Sequence, residues 1–180
     1  PTRIRGPFAA RARATEQARN LLTASLTDPV GVLSKLRDQD RHVRDKVSDL
    51  VGSHLMSAAW PERVMGSQTG LVLRPEIFWQ SIENGPLWRY GEWLEPASMW
   101  SGASEQAPPA EVIATLQDKA RTGTDRQKYA ALCLLGQFGH EESGALFEHA
   151  ARSEPQPGVA SAGLWAASRI GRKIEPPLSQ

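Results

Sequence analysis

Residues Thr124 to Gly171 read TDRQKYAALCLLGQFGHEESGALFEHAARSEPQPGVASAGLWAASRIG, and their pattern decides the fold. One apolar run spans Tyr129 to Leu135 and stops at Gly139. A second carries Leu146, Phe147 and Ala150 and ends before Pro155 and Pro157, and a third holds Val159 to Ile170. Three- and four-residue steps separated by Gly and Pro predict three helices, over 125–138, 142–152 and 158–170. The first is apolar nearly all round, which makes it central. The second opens on Glu142 after Glu141, the charge that a helix N-terminus favours.

Two of these helices repeat each other. Counted from Thr124, offsets 3, 4, 7, 10, 11 and 12 hold Gln127, Lys128, Ala131, Leu134, Leu135 and Gly136; counted from Gln156 they hold Val159, Ala160, Gly163, Ala166, Ala167 and Ser168. A third copy counted from Asp40 gives Val43, Arg44, Val47, Leu50, Val51 and Gly52. Small residues facing apolar ones at this spacing let helices pack closely, and a period in the thirties is a mark of helical solenoids.

The stretch VGVLSKLRDQDRHVRDKVSDLVG, residues 30–52, resembles a HEAT repeat: an inner helix ending near Leu36 to Asp38, a turn at Asp40, and a Val43-Arg44 pair opening the next helix. The later copies keep the helix spacing and lose the pair, with Lys128 in place of the arginine in one and Gly158-Val159-Ala160 in the other. The resemblance covers residues 28–52 and 110–171. It implies an all-α fold, a short right-handed α-solenoid of antiparallel helix pairs.

The 180 residues are 40% hydrophobic, enough for one packed domain or a short repeat array. We expect a single HEAT-like domain over 1–180, with N-terminal helices and a first repeat at 8–55, a Trp/Pro/Gly-rich insertion and linker at 56–109, and C-terminal repeats at 110–171. With 21 basic and 20 acidic residues the net charge is +1, so no global field calls for nucleic acid or an anionic membrane. The single cysteine, Cys133, excludes an internal disulfide, and its place in an apolar run predicts a buried thiol. The sequence contains neither a charged-then-apolar leader nor the roughly 20 apolar residues of a membrane span, and the expectation is a soluble, cytoplasmic protein.

Near the N-terminus, Phe8, Ala12, Thr15, Ala18, Leu22 and Leu26 recur at three- and four-residue steps and predict one helix face. Arg3, Arg5, Arg11, Arg13 and Arg19 outnumber Glu16 there and could meet phosphates or an acidic partner. The plainer reading is a solvated face, since no aromatic is interleaved as single-strand binders require. Thr27-Asp28-Pro29 predicts the next helix start, by cap and preset φ.

Residues 60–102 break the pattern. They hold Trp60, Trp79, Trp88, Trp93 and Trp100, five of six tryptophans, and are punctuated by Pro61, Gly66, Gly70, Pro75, Pro86, Gly91 and Pro96. GLVLRP (70–75) reads as a short extended piece, PEIFWQSIE as a two-turn helix from Pro75, and PLWRYGEWLEP as a helix broken near Gly91. We read the segment as an irregular insertion, or as a degenerate repeat with aromatic helices. Tryptophan supplies large contact area at low entropy cost and is enriched at hot spots, yet an irregular segment also needs large side chains to pin it down. The partner-binding candidates are Trp79, Trp88, Arg89, Tyr90, Trp93 and Trp100.

The chemistry of a catalyst is missing. There is no GxSxG elbow, no GxxxxGKS phosphate loop and no GxGxxG after a strand. HEAT-repeat deoxyhypusine hydroxylases hold two irons with several His-Glu pairs; this chain has one, His140-Glu141, at a helix end. HEAT-like DNA glycosylases set tryptophans and an aspartate around a damaged base, but residues 60–102 contain no aspartate. The expectation is a non-enzymatic, cofactor-free scaffold or adaptor that binds another protein. Its Arg-, Ala- and Pro-rich usage resembles that of high-GC bacteria, where an accessory role in secretion or toxin neutralisation would suit such a module. The alternatives are nucleic-acid binding through the arginine-rich helix and an unrecognised metal-dependent enzyme.

Overall fold

The computed structural model describes residues 6–101 and 107–175, and every regular element among them is helical. The chain divides into two compact units, Pro1–Glu95 and Pro96–Gln180. Residues 1–5, with Arg3 and Arg5, and 176–180 lie outside the described set, as do residues 102–106 of the linker expected at 101–110.

The first unit opens with α1 (Pro7–Ala24), followed by α2 (Pro29–Leu36) and α3 (Arg41–Leu55). The buried stripe of α1 is Ala14, Ala18 and Leu22, with Ser25 beyond it, whereas Phe8 is 80% exposed and Leu26 is exposed. Ala18 and Leu22 are thus buried as expected and Ala14 joins them, while Phe8 and Leu26, the two ends of the expected face, lie outside. Two alanines on the side packed against α3 allow close approach, a cue that apolar periodicity does not weight. Asp28 caps α2 by accepting from the Gly31 N–H at 2.9 Å, and Asp40 caps α3 by accepting from the Val43 N–H at 3.0 Å. Val43, Val47, Val51 and Leu55 are buried on α3 with Gly52, and Leu50 is half-buried. Each such side chain contributes about 1.5–3 kcal/mol when taken fully out of water.

The segment read as an irregular insertion or as a degenerate repeat with aromatic helices is helical. It forms α4 (Trp60–Leu73), α5 (Pro75–Asn84), the short α6 (Pro86–Tyr90), a 3-10 turn (Glu92–Leu94) and α7 (Glu95–Ser101). The extended piece expected at 70–75 is thus corrected: Gly70 to Leu73 complete α4. Gly66 and Gly70 are not breakers here but points of helix contact. A Cβ on Gly66 would lie 2.8 Å from the Leu55 backbone nitrogen, and one on Gly70 would lie 2.9 Å from a Leu55 methyl. Glycine lets α4 come this close to α3, and that packing outweighs its helix propensity cost of about 1 kcal/mol. Helix α5 does begin at Pro75 as read. It buries Phe78, Trp79 and Ile82, with the Phe78 and Trp79 rings edge to face at 5.3 Å. The Ser81 hydroxyl donates to the Leu55 carbonyl at 2.9 Å and ties α5 to the end of α3.

In the second unit, α8 (Ala110–Thr122) packs on α9 (Asp125–Gln137), α10 (Gly144–Ser153) on α11 (Pro157–Arg169), and α9 on α11. Every residue of α9 from Ala130 to Gly136 is buried, as its all-round apolar run predicts. Thr124 and Gln127 form a capping box at its start, and Gly139, at φ 66°, ends it. The Cβ that Gly136 lacks would sit 2.8 Å from Ala166, and that of Gly163 would sit 2.7 Å from the Ala151 nitrogen. Lys128 reaches Glu154 at 2.8 and 3.0 Å, joining α9 to the end of α10. A 3-10 turn (Glu141–Ser143) precedes α10, so that helix starts two residues later than its acidic residues suggest.

Candidate functional site

In the first unit, Arg63 organises the aromatic residues. Its guanidinium is 4% exposed. Nε and Nη2 donate to Glu92 Oε1 at 3.0 and 2.8 Å, and Nη1 donates to the Ser57 and Ala58 carbonyls at 3.2 and 2.6 Å. The Tyr90 ring covers it, with Cζ 4.2 Å from the ring centroid. One side chain from the first turn of α4 thus fixes the approach to that helix, the end of α6 and the following 3-10 turn. Gly91, at φ 82°, lets the chain reverse between Tyr90 and Glu92 so that both meet the same guanidinium. Glu92 is 3% exposed, and its Oε2 has no hydrogen-bond partner, a cost that the charge-assisted bonds through Oε1 must offset.

The same turn brings Trp88 and Trp93 together. A continuous helix would spread them, but across Gly91 their rings stack at 6.0 Å and 14°. The six candidate residues therefore separate by environment. Trp79, Trp93 and Trp100 are buried, Trp88 is half-buried, and Arg89 and Tyr90 are exposed, Tyr90 at 58%. Trp79 Nε1 is buried without a hydrogen-bond acceptor, so this ring is held by packing. Two exposed apolar residues escaped the sequence reading: Trp60 at 62%, three residues before Arg63 on α4, and Leu94 at 44%, just beyond Glu92. The signal for Trp60 was its position immediately before Pro61, where a helix begins and its first side chain has neighbours on one side only.

Trp100 belongs to the second unit, where its ring meets Phe138 edge to face at 5.6 Å. Nearby, the Gln117 amide donates to the Ser143 hydroxyl at 3.1 Å, and Ser143 in turn lies 2.9 Å from His140 Nδ1. The other ring nitrogen, Nε2, lies 3.9 Å from Glu142 Oε2. Glu148, on α10, pairs with Arg172 at 2.8 Å. Among the described residues no three His, Cys, Asp or Glu side chains converge as a metal site. Burial pushes the Cys133 thiol up to about 11, against a smaller opposing effect of its hydrogen bond with Tyr129, so it is a poor nucleophile at neutral pH. No helix among the described residues is long and apolar enough to cross a membrane. No family model matches the chain, and no curated protein or solved structure matches it either.

Proposed function

We propose that this chain is a non-enzymatic interaction scaffold built of degenerate HEAT-like helix pairs, and that its principal contact surface surrounds Arg63. The observation that carries this reading is the exposure of Trp60, Tyr90 and Leu94 in a unit that buries Phe78, Trp79 and Trp93. An exposed aromatic such as Tyr90, anchored on a rigid, desolvated arginine, loses little entropy on binding, which is what a hot spot requires. The adjacency of α8 with α9, α9 with α11 and α10 with α11 supports the helix-pair reading, as does the coincidence of all three repeat starts with helix caps at Asp40, Thr124 and Gln156.

The test is a pull-down from nuclease-treated host lysate, read by mass spectrometry, with parent and a Trp60→Ala/Tyr90→Ala variant side by side. Both substitutions fall on exposed rings, so the variant keeps its helical circular dichroism. A discrete protein captured by the parent and lost with the variant is the expected result; identical captures overturn the assignment of the surface. A second reading rests on Arg11, Arg13 and Arg19, which are all exposed on α1. It requires a salt-sensitive shift of labelled nucleic acid that disappears when the three become alanine.

A further inference from the structure

We propose that a groove in the second unit, floored by Trp100 and Phe138 and rimmed by Glu141 and Glu142, receives an arginine side chain from a basic peptide. The groove has a volume of about 400 Å³, which falls in the range of small-ligand sites, about 300–1,000 Å³. Ile113 completes the apolar lining and His140 stands beside the two glutamates. No lysine or arginine lines it among the described residues. Glu141 and Glu142 are exposed, Glu141 has no ion-pair partner among the described residues, and Glu142 faces only His140 at 3.9 Å. The arginine that packs against Gly144, Arg172, is held by Glu148 at 2.8 Å. Among the described residues the groove thus presents two carboxylates and two aromatic rings without a lysine or arginine.

That combination fits an apolar stem ending in a planar cation. Three methylenes lie against Ile113 and Phe138, and the guanidinium stacks on aromatic carbon while its forked N–H donors reach the carboxylates. A lysine ammonium makes the charge contact but not the planar stack. The rim is preorganised: the Gln117-Ser143-His140 hydrogen bonds fix the imidazole, and Gly139 in the left-handed region sets the chain direction into the 3-10 turn. The proposal rests on the scaffold reading only in taking the partner to be a protein, and it concerns different residues from the Trp60/Tyr90 surface.

The test is fluorescence anisotropy of the full chain with a fluorescein-labelled Ser-Gly-Leu-Arg-Leu-Gly-Ser peptide. Saturable binding below about 1 mM is expected. Affinity should fall about fivefold with Glu141→Gln/Glu142→Gln, and fall likewise when citrulline replaces the peptide's arginine. The Trp60→Ala/Tyr90→Ala variant should bind the peptide as the parent does, so a failed pull-down and a failed groove are told apart. Absence of binding to the parent, or equal binding by the double-glutamine variant or the citrulline peptide, overturns the proposal. Binding of n-butylguanidine as tightly as the peptide overturns the peptide as occupant and leaves a free small cation.

Discussion

Arg63 is where a single substitution should cost most. Arg63→Ala leaves Glu92 buried with neither oxygen paired, and the expected loss is about 3–5 kcal/mol, read as a lower urea midpoint. Replacing both partners, as Arg63→Met/Glu92→Leu, should lose clearly less, because no uncompensated charge remains. A single-variant loss equal to that of the pair would mean that the ion pair is not what holds the turn. Gly136→Ala sets a new methyl against Ala166 and Trp165 at 2.8–2.9 Å, and overpacking of about 1–3 kcal/mol should follow in the same urea titration. These residues were not equally legible. Gly136 stood at the offset shared with Gly52, so its role as a small contact position could be read. The pairing of Arg63 with Glu92 spans 29 positions and follows no period, so nothing local announces it. The composition of 60–102 named the tryptophans but could not say which the turn at Gly91 would stack and which α4 would leave outside.

The helices were most legible where a cap stood at their start. Asp40, Thr124 and Gln156, the three repeat origins, each accept a backbone N–H in the first turn, so the repeat register is a register of caps. Thr124→Ala should cost about 1 kcal/mol, seen as a lower melting temperature, and Thr124→Ser should recover most of it. The cap reading would fail if serine were no better than alanine. Helix α4 was misread for the opposite reason. Its cap residue, Ala59, offers no side-chain acceptor, and its Gly66 and Gly70 have the composition of a breaker. What makes them helical is Leu55 on the facing helix, a tertiary partner that no window over 60–73 contains. The burial of Ala14 rather than Phe8 on α1 has the same origin, since the helices it packs on lie outside any window over α1.

Across the molecule, a half-buried group and a buried one should shape stability against pH from opposite sides. Burial lowers the pKa of His54 from 6.5, against a smaller raising effect of Glu62, so the fold favours the neutral ring. Its contribution is complete above pH 6.5 and is lost as pH falls through the lower folded value; His54→Gln should flatten that acid limb of the melting temperature. Burial raises Cys133 from 9.0 to about 11, so its contribution is complete below pH 9.0 and is lost as pH rises through about 11. Tyr129 is raised as well, first by the charge of Cys133 and then by burial, and it steepens the same limb. Cys133→Ala should therefore flatten the alkaline side through both residues, and an unchanged slope would place its cause elsewhere. Cys133 also lies within the unbroken buried run from Ala130 to Gly136 of α9. In deuterated solvent, amides with no exposed side and no nearby fraying end can trade their protons only when the surrounding helices part. This stretch of backbone should thus be a slow clock, whose exchange rate reads out the free energy needed to open the second unit as a whole.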